Sequence, residues 1–511
     1  MRLFTTIAAL HCYLDSCRQS VGLVPTMGAL HAGHLSLIER ARQENEIVIV
    51  SIFVNPLQFG PNEDYQSYPR TLERDRQLCE QFGVDVVFAP SPKEMGVVQS
   101  SMQAQPAVTQ VIPPTEMTSV LCGQSRHGHF QGVATIVTKL LNVVRPNRAY
   151  FGQKDGQQLA IIRRVVNDLN IPVEIIGCPI VREASGLAMS SRNQYLTPNQ
   201  KQAAAILYRS LQQAKQAFAQ GEYFSQALIE TVKKEVATVS AVTLEYVELV
   251  HPMTLMPLEK VEESGMLAIA ARVGAARLID NVILQNRQPI IAIDGPAGAG
   301  KSTVARQVAA KLGLLYLDTG AMYRALTWLV LQLGISFDDR CAIAELASNS
   351  QIQLIPDPEA PQRIWINDQE VTQAIRTIEV TSQVSAIAAQ PAVRKAIVQK
   401  QQTYGKKGGL VAEGRDIGTQ VFPEAEVKIF LTASVRERAK RRQQDFEEQG
   451  QLNISLTQLE KDIAERDRKD STREIAPLQK AADAVEVQTD GKDVAEVIAE
   501  IISYYNQRLS Q

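Results

Sequence analysis

A chain of 511 residues is too long for one hydrophobic core, and two to four domains are expected. Its 45% hydrophobic and 21% charged content is that of an ordinary soluble globular protein. The near balance of 53 basic and 55 acidic side chains leaves no global field for nucleic acid or an anionic membrane, so anion binding must come from local clusters.

Met1–Leu10 lacks the long apolar core of a signal peptide, and no apolar run approaches the roughly 18 residues of a membrane span. The cysteines (Cys12, Cys17, Cys79, Cys122, Cys178, Cys341) are scattered and form no C-x-x-C pair; they read as reduced cytoplasmic thiols. Val21–Val24 is a predicted strand running into Pro25-Thr26-Met27-Gly28-Ala29-Leu30-His31-Ala32-Gly33-His34, with helical spacing after it in Leu35, Ile38 and Ala41. Ile47–Val54 is almost continuously apolar, as a parallel strand covered on both faces should be. A charged helical stretch around Tyr68 to Phe82 leads into a strand over Val84–Ala89. Gly132–Val144 and Leu159–Leu169 read as helices, Arg148–Phe151 and Val173–Ile176 as strands. This alternation predicts an α/β, doubly wound, Rossmann-like domain over residues 1–180.

In such a sheet, ligands bind beyond the carboxyl ends of the strands, and the polar clusters fall there. They are the His31/His34 motif, Asn55–Phe59, Gly152-Gln153-Lys154-Asp155, and Met189-Ser190-Ser191-Arg192 after Val181-Arg182. Gly28 and Gly33 let backbone approach a nucleotide, and the helix beginning near His34 presents N–H groups to phosphate. His31 and His34 can donate to an α-phosphate as charge builds; Lys154 and Arg192 can neutralise the phosphate chain and its leaving pyrophosphate. An isolated H-x-G-H tetrad is short enough to arise by chance, and its weight comes from the other clusters at the same edge. His11 and His251 read as structural. His127 and His129, near Arg126, stay open as site residues.

These features resemble the pantothenate synthetase family, within the H-x-G-H nucleotidyltransferase superfamily. The likeness covers about residues 1–284. It is carried by the motif at 25–34, Ser51–Phe59, Tyr68-Pro69-Arg70-Thr71, Gly152–Asp155 and Gly186–Asn193. The resemblance implies ATP-dependent joining of pantoate to β-alanine through a pantoyl-adenylate, giving pantothenate, AMP and diphosphate. It implies ATP contacts from Met27, Gly28, Ala29, Leu30, His31, Ala32, Gly33, His34, Gly152, Gln153, Lys154, Asp155, Val181, Met189, Ser190, Ser191 and Arg192. Among these, His34 is the assigned proton donor, with His31 and Lys154 also catalytic. Gln58 and Gln158 would hold pantoate, Gln58 also lying near β-alanine.

A small α+β lid subdomain, about 181–284, would cover this site. Val242–Val250 is its predicted strand, and Leu267–Val273 with Ala276–Asp280 a hairpin turning at Gly274-Ala275. The resemblance further implies a homodimer through this half. Two departures are visible. Gly156 stands where the family carries a bulky side chain, which is expected to loosen that wall. The stretch Gly96–Gln110 does not match and is expected to be mobile.

Asn286-Arg287-Gln288-Pro289 is a short polar joint, and a second domain is read over 285–511. Ile290–Asp294 is a buried strand, and Gly295-Pro296-Ala297-Gly298-Ala299-Gly300-Lys301-Ser302-Thr303 fits G-x-x-x-x-G-K-[ST] followed by Thr303. The next helix places Val304, Val308, Ala309 and Leu312 on one face and stops at Gly313. The loop, with Gly295, Gly298, Gly300 and Thr303, would cradle ATP phosphates; Lys301 would bridge β and γ, and Ser302 would bind Mg2+. Three further clusters, Asp318–Arg324, Glu413–Thr419 and Arg466–Arg473, put arginine near carboxylates or hydroxyls and point to a nucleoside monophosphate acceptor. Arg436, Arg438, Arg441 and Arg442 form a basic stripe. It reads as a solvated helix face, an RNA contact or, the preferred reading, a mobile lid over ATP.

These clusters resemble cytidylate kinase over about 286–511. The resemblance implies a P-loop nucleoside monophosphate kinase fold and phosphate transfer from ATP to CMP or dCMP. Asp318, Arg324, Arg415, Asp416, Arg466, Asp470 and Arg473 would lie on the monophosphate side. An inserted subdomain is implied over about 335–400, with Ile352–Ile355 and Arg363–Asn367 as a hairpin, and a lid over 433–453. Mg2+ would come with ATP, and no tightly bound organic cofactor is expected. The partners are small molecules (ATP, pantoate, β-alanine, CMP or dCMP), with neither nucleic acid nor membrane. Rival readings are another nucleotidyltransferase, an adenylate- or shikimate-type kinase, and a nucleotide-sensing scaffold without turnover. The motifs beyond each phosphate loop, and the retention of His31, His34, Lys154, Lys301 and Asp416, speak against them.

Overall fold

The computed structural model describes residues 1–60, 63, 65–97, 108–355, 362–448, 455–471 and 477–509, with no side-chain account of 445–448. Contacts divide the chain into two compact units, Met1–Asn286 and Arg287–Gln511. Both are built on parallel sheets, the α/β class that the strand–helix alternation predicts.

The strands of the first unit are β1 (Arg2–Phe4), β2 (Val21–Thr26), β3 (Ile47–Ile52), β4 (Val86–Phe88), β5 (Arg148–Gly152) and β6 (Glu174–Cys178). Among the described residues they form one parallel sheet in the order β1-β4-β3-β2-β5-β6. Val48, Ile49 and Val50 are fully buried, because helices cover both faces of β3. The chain runs from β2 through β3 to β4 on one side, then returns to place β5 on the other. The crevice between the carboxyl ends of β2 and β5 is therefore a topological switch point, where α/β sheets bind ligands. The His31/His34 loop leaves β2, and the Lys154 turn leaves β5.

Two local readings change. Residues 2–4 form a short edge strand that the apolar pattern did not reveal. The charged helix spans Leu72–Gln81, not 68–82, since Pro69 lies in an irregular segment whose buried Tyr68 points its hydroxyl at Ser191 Oγ, 3.4 Å away. Close approach matters at Gly132. A Cβ there would stand 2.2 Å from the Leu57 carbonyl oxygen, so only glycine lets helix His129–Val144 press on the turn Pro56–Gln58.

The remainder of this unit carries an antiparallel sheet of β7 (Val242–Val250), β8 (Ser264–Val273) and β9 (Ala276–Gln285). Val273 pairs with Ala276 across the Gly274-Ala275 turn. Helices Ile206–Ala219 and Ser225–Ala237 close over the sheet around Leu211, Leu228, Val232 and Ile269, all fully buried.

The second unit has β10 (Ile290–Asp294), β11 (Leu315–Asp318), β12 (Ile352–Ile355), β13 (Arg363–Ile366), β14 (Gln369–Glu370), β15 (Leu410–Gly414), β16 (Val427–Thr432) and β17 (Val485–Gln488). The parallel sheet runs β11-β15-β10-β16-β17, with β10 at its centre. Helix Lys301–Leu312 follows β10 and ends on Gly313 in the left-handed conformation, φ 65°. The hairpin β12–β13 is antiparallel, pairing Ile352 with Ile366, and its Ile352, Leu354, Ile364 and Ile366 join the core cluster that includes Ile290, Leu317 and Leu410 of the parallel sheet.

Candidate active sites

In the first unit, His31 caps helix Ala32–Glu44, its Nδ1 accepting from the Gly33 N–H at 3.2 Å. The His31 and His34 rings stack with centroids 4.1 Å apart. His34 Nδ1 is buried and unpartnered, so a ligand bond from this ring must use Nε2. Burial, then the nearby Lys154, lowers the pKa of His31 to about 4. For His34 burial, His31 and Lys154 together lower it to about 3. Both lowered values keep the rings in the neutral form near neutral pH.

The loop before them is held from below. Gly28 N–H donates to Thr26 Oγ1 at 3.2 Å, while Ala29 and Leu30 N–H both donate to the buried Asp75 carboxylate. Those three donors are therefore engaged within the protein. Gln58 joins the loop through Nε2 to Met27 Sδ, 2.9 Å. Its carbonyl meets His129 Nδ1 at 2.8 Å. Of the histidines left open by sequence, His129 is buried at this site and His127 is exposed.

A cavity of about 380 Å³ opens beside this edge, lined by Lys154, Asp155, Gln158, Ser190 and Arg192, with Arg277 and Asn281 from the lid. Ser190 caps the turn Ser191–Tyr195, and Met189 N–H bonds the Val181 carbonyl at 2.9 Å, fixing that wall. Gly152 ends β5 and Gln153–Asp155 form a 3-10 turn. His31, His34, Met27 and Gln58 lie outside this lining. They connect to it electrostatically through Lys154 and physically through His129, itself a lining residue.

The loosened wall expected at Gly156 is corrected. A Cβ there would lie 2.5 Å from Met266 Sδ, so a lid methionine fills the space that a bulkier residue would take. Of the stretch 96–110, residues 98–107 lie outside the described residues.

In the second unit Lys301 is buried, and its Nζ donates to the Pro296 carbonyl at 2.7 Å. Burial and the neighbouring Arg415 push its pKa down, Glu413 and Asp294 opposing, with Arg466 adding to the repulsion. Three cations thus converge on the loop that starts at Gly295, where φ is 148°, and passes Gly298 and Gly300, both in the left-handed region. Ser302 Oγ donates to Glu413 Oε2 at 2.9 Å, and Thr303 continues the helix. Asp294, pushed up to about 7 by burial, accepts from Ile417 and Gly418 N–H at 2.7 Å each.

Arg415 bridges Asp470 at 2.9 Å and the Gly295 carbonyl at 3.0 Å, tying the arginine clusters to the glycine loop. Arg324 pairs with Asp318 at 2.6 Å. Asp416 is buried against Arg394, a residue the sequence reading did not single out. Arg473 lies outside the described residues, as do 449–453 of the lid stretch 433–453.

Of the readings left for the basic stripe, the solvated helix face does not hold. Arg438 is 3% exposed, forks onto Asp467 at 2.5 and 2.9 Å, and reaches the Ala297 carbonyl. Arg441 bonds Thr489 and Glu437. Helix Val435–Glu448 therefore presents no uniform solvated arginine face; part of the stripe buttresses the glycine loop.

Each sheet carries a cluster of basic and hydrogen-bonding side chains at its carboxyl edge. Together they define a two-unit nucleotide enzyme, a nucleotidyltransferase of the H-x-G-H class followed by a P-loop kinase. A family model described as pantoate-beta-alanine ligase matches residues 2–283, and one described as cytidylate kinase matches 291–507. A bifunctional pantoate ligase/cytidylate kinase of Trichormus variabilis is 69% identical over all of both chains. The protein of that description from a Synechocystis species is 57% identical over 99% of each chain. A crystal structure of pantothenate synthetase from Thermus thermophilus is 46% identical and covers 55% of this chain and 99% of its own, with a TM-score of 0.51. The chain belongs to the bifunctional pantoate ligase/cytidylate kinase family. Among the described residues no helix is long and apolar enough to cross a membrane, and no group of three or more His, Cys, Asp or Glu is placed to hold a metal.

Proposed function

We propose that the chain catalyses two separate reactions. In the first unit the pantoate carboxylate attacks the α-phosphorus of ATP, and diphosphate leaves. The β-alanine amine then attacks the acyl-adenylate carbonyl, forming the amide of pantothenate and releasing AMP. His34 and His31 donate hydrogen bonds to the α-phosphate as charge develops, and Lys154, Ser190, Ser191 and Arg192 hold the departing phosphates. Gln58 and Gln158 hold pantoate. In the second unit a phosphate oxygen of CMP or dCMP attacks the γ-phosphorus of ATP, and ADP leaves. Lys301 and the glycine loop hold the transferring group. Asp318, Arg324, Arg415, Asp416, Arg466, Asp470 and Arg473 hold the acceptor.

The observation that carries this reading is the separation of the phosphate-handling residues into two sets, each at the centre of its own sheet. The full-length likeness to relatives named for both activities supports it. Mg2+ would be held with ATP by Ser302, whose hydroxyl lies beside the Glu413 carboxylate, hard oxygen donors suited to that ion. When bound, it neutralises charge on the phosphate chain. The resemblance of the first unit supports a homodimer through it, and the reduced cysteines support a cytoplasmic location.

Purified protein with Mg-ATP is assayed separately with pantoate plus β-alanine and with CMP. Pantothenate plus AMP in the first tube and CDP plus ADP in the second are expected. A silent tube would remove the corresponding half of the reading. Light scattering that finds only monomer at micromolar concentration would remove the dimer.

A further inference from the structure

Lys154 stands on the three-residue turn Gln153–Asp155, between β5 and helix Gly156–Asp168. That turn is gripped by the lid. The Asn281 side-chain amide, on β9, donates one hydrogen to the Gln153 carbonyl and the other to the Lys154 carbonyl, both at 2.9 Å. Asn281 is 6% exposed, so water competes poorly for these bonds. Amide orientation is fixed by this pair, since the reversed amide would aim its oxygen at two carbonyl oxygens.

The backbone that carries this side chain is itself held. Asp280 is 3% exposed, accepts the Asn281 main-chain N–H at 2.8 Å, and is forked by Arg182 at 2.6 and 3.0 Å. Arg182 in turn lies 3.8 Å above the Tyr208 ring. From the adjacent strand β8, Met266 occupies the space against Gly156, the residue after the turn. Two lid strands therefore clasp the lysine-bearing turn, one by hydrogen bonds and one by packing.

We propose that Asn281 is a positioning residue for Lys154, and that the lid sheet sets the aim of this ammonium as well as covering the site. The inference rests on the reading that Lys154 acts on the phosphates of ATP in the first unit. A side chain must be held to within a fraction of an ångström to act on a transition state, and an amide with both hydrogens on one turn does this directly.

The test is steady-state diphosphate release from the full chain with pantoate, β-alanine and Mg-ATP. It compares wild type with Asn281→Ala and with Asn281→Asp, which keeps the shape and turns donor into acceptor. Both variants should lower kcat by roughly tenfold or more. The KM for β-alanine should stay within twofold and the melting temperature close to wild type. If Asn281→Ala does not fold, Asn281→Asp decides. Retained kcat overturns the proposal, as does a loss in which the β-alanine KM and the melting temperature move with kcat. No diphosphate from wild type would instead overturn the ligase reading itself, so the two failures are distinguishable.

Discussion

The Asp75 carboxylate spans two consecutive backbone donors, taking the Ala29 N–H on one oxygen and the Leu30 N–H on the other, each at 2.9 Å. Thr71 adds a third bond at 3.1 Å, which gives the Tyr68–Thr71 segment a role. Ala29 has φ 51°, a left-handed conformation costly for a residue with a Cβ, so the loop keeps its shape because Asp75 compensates. Asp75→Asn replaces one acceptor by an N–H facing an N–H. It should destabilise the first unit by about 1–3 kcal/mol and lower ligase turnover, with CMP phosphorylation unchanged. Thermal melts and the two product assays on one preparation check this; an unaltered ligase rate would show that the loop holds itself.

Stability of the first unit should depend on pH through its histidines. Burial, seconded by Arg126, lowers His129 to about 4, alongside His31 at about 4 and His34 at about 3. The unfolded chain takes up these protons near pH 6.5, whereas the folded chain refuses them down to about pH 4. Stability is thus fully present above that window and falls as pH drops through it. For His129, 9% exposed, the loss at pH 5 is about 2 kcal/mol. Melting temperatures of the first transition between pH 7.5 and 5 measure this, and a flat profile would contradict the burial of these rings.

What could be read from the sequence, and what could not, follows the range of the interactions. The glycine loop before Lys301 and the motif before His34 announce themselves because a strand, a turn and a helix start lie within a few residues. The β8–β9 hairpin is equally local. By contrast, Asn281 reaches Gln153 across 128 positions, Asp75 reaches Ala29 across 46, and Arg394 meets Asp416 across 22. No spacing rule encodes such pairs, since only the packed fold brings them together. The burial of Arg438 was hidden for the same reason, because its partner Asp467 belongs to another helix. Gly156 misled because its neighbour, Met266, comes from the lid.

Arg394 is buried with Asp416 and lies 5.8 Å from the Tyr323 ring centre. A planar fork pairs with a carboxylate in a way that an ammonium cannot copy. Arg394→Lys should therefore disturb the orientation of Asp416, raising the KM for CMP roughly tenfold, the effect of losing about 1.4 kcal/mol. The KM for ATP should change much less. Initial rates with each substrate varied in turn separate the two effects. Equal shifts in both would mean that Asp416 serves the whole second unit and not the acceptor side.

The sharpest expectation concerns independence. His34 belongs to the first unit and Lys301 to the second, and the charged groups named as acting on each come from its own unit. If His34 donates to the α-phosphate as proposed, His34→Ala should lower pantothenate formation by about 10²–10³-fold, with CDP formation intact. Lys301→Ala removes the ammonium of the glycine loop and should do the converse by a similar factor. Lys301 is buried beside Arg415, so its loss also relieves cation repulsion. The second unit should accordingly hold its melting temperature even as its activity collapses. Both products, measured from each variant against wild type, give the answer. A variant that stayed folded yet lost both activities would show that the two units are coupled.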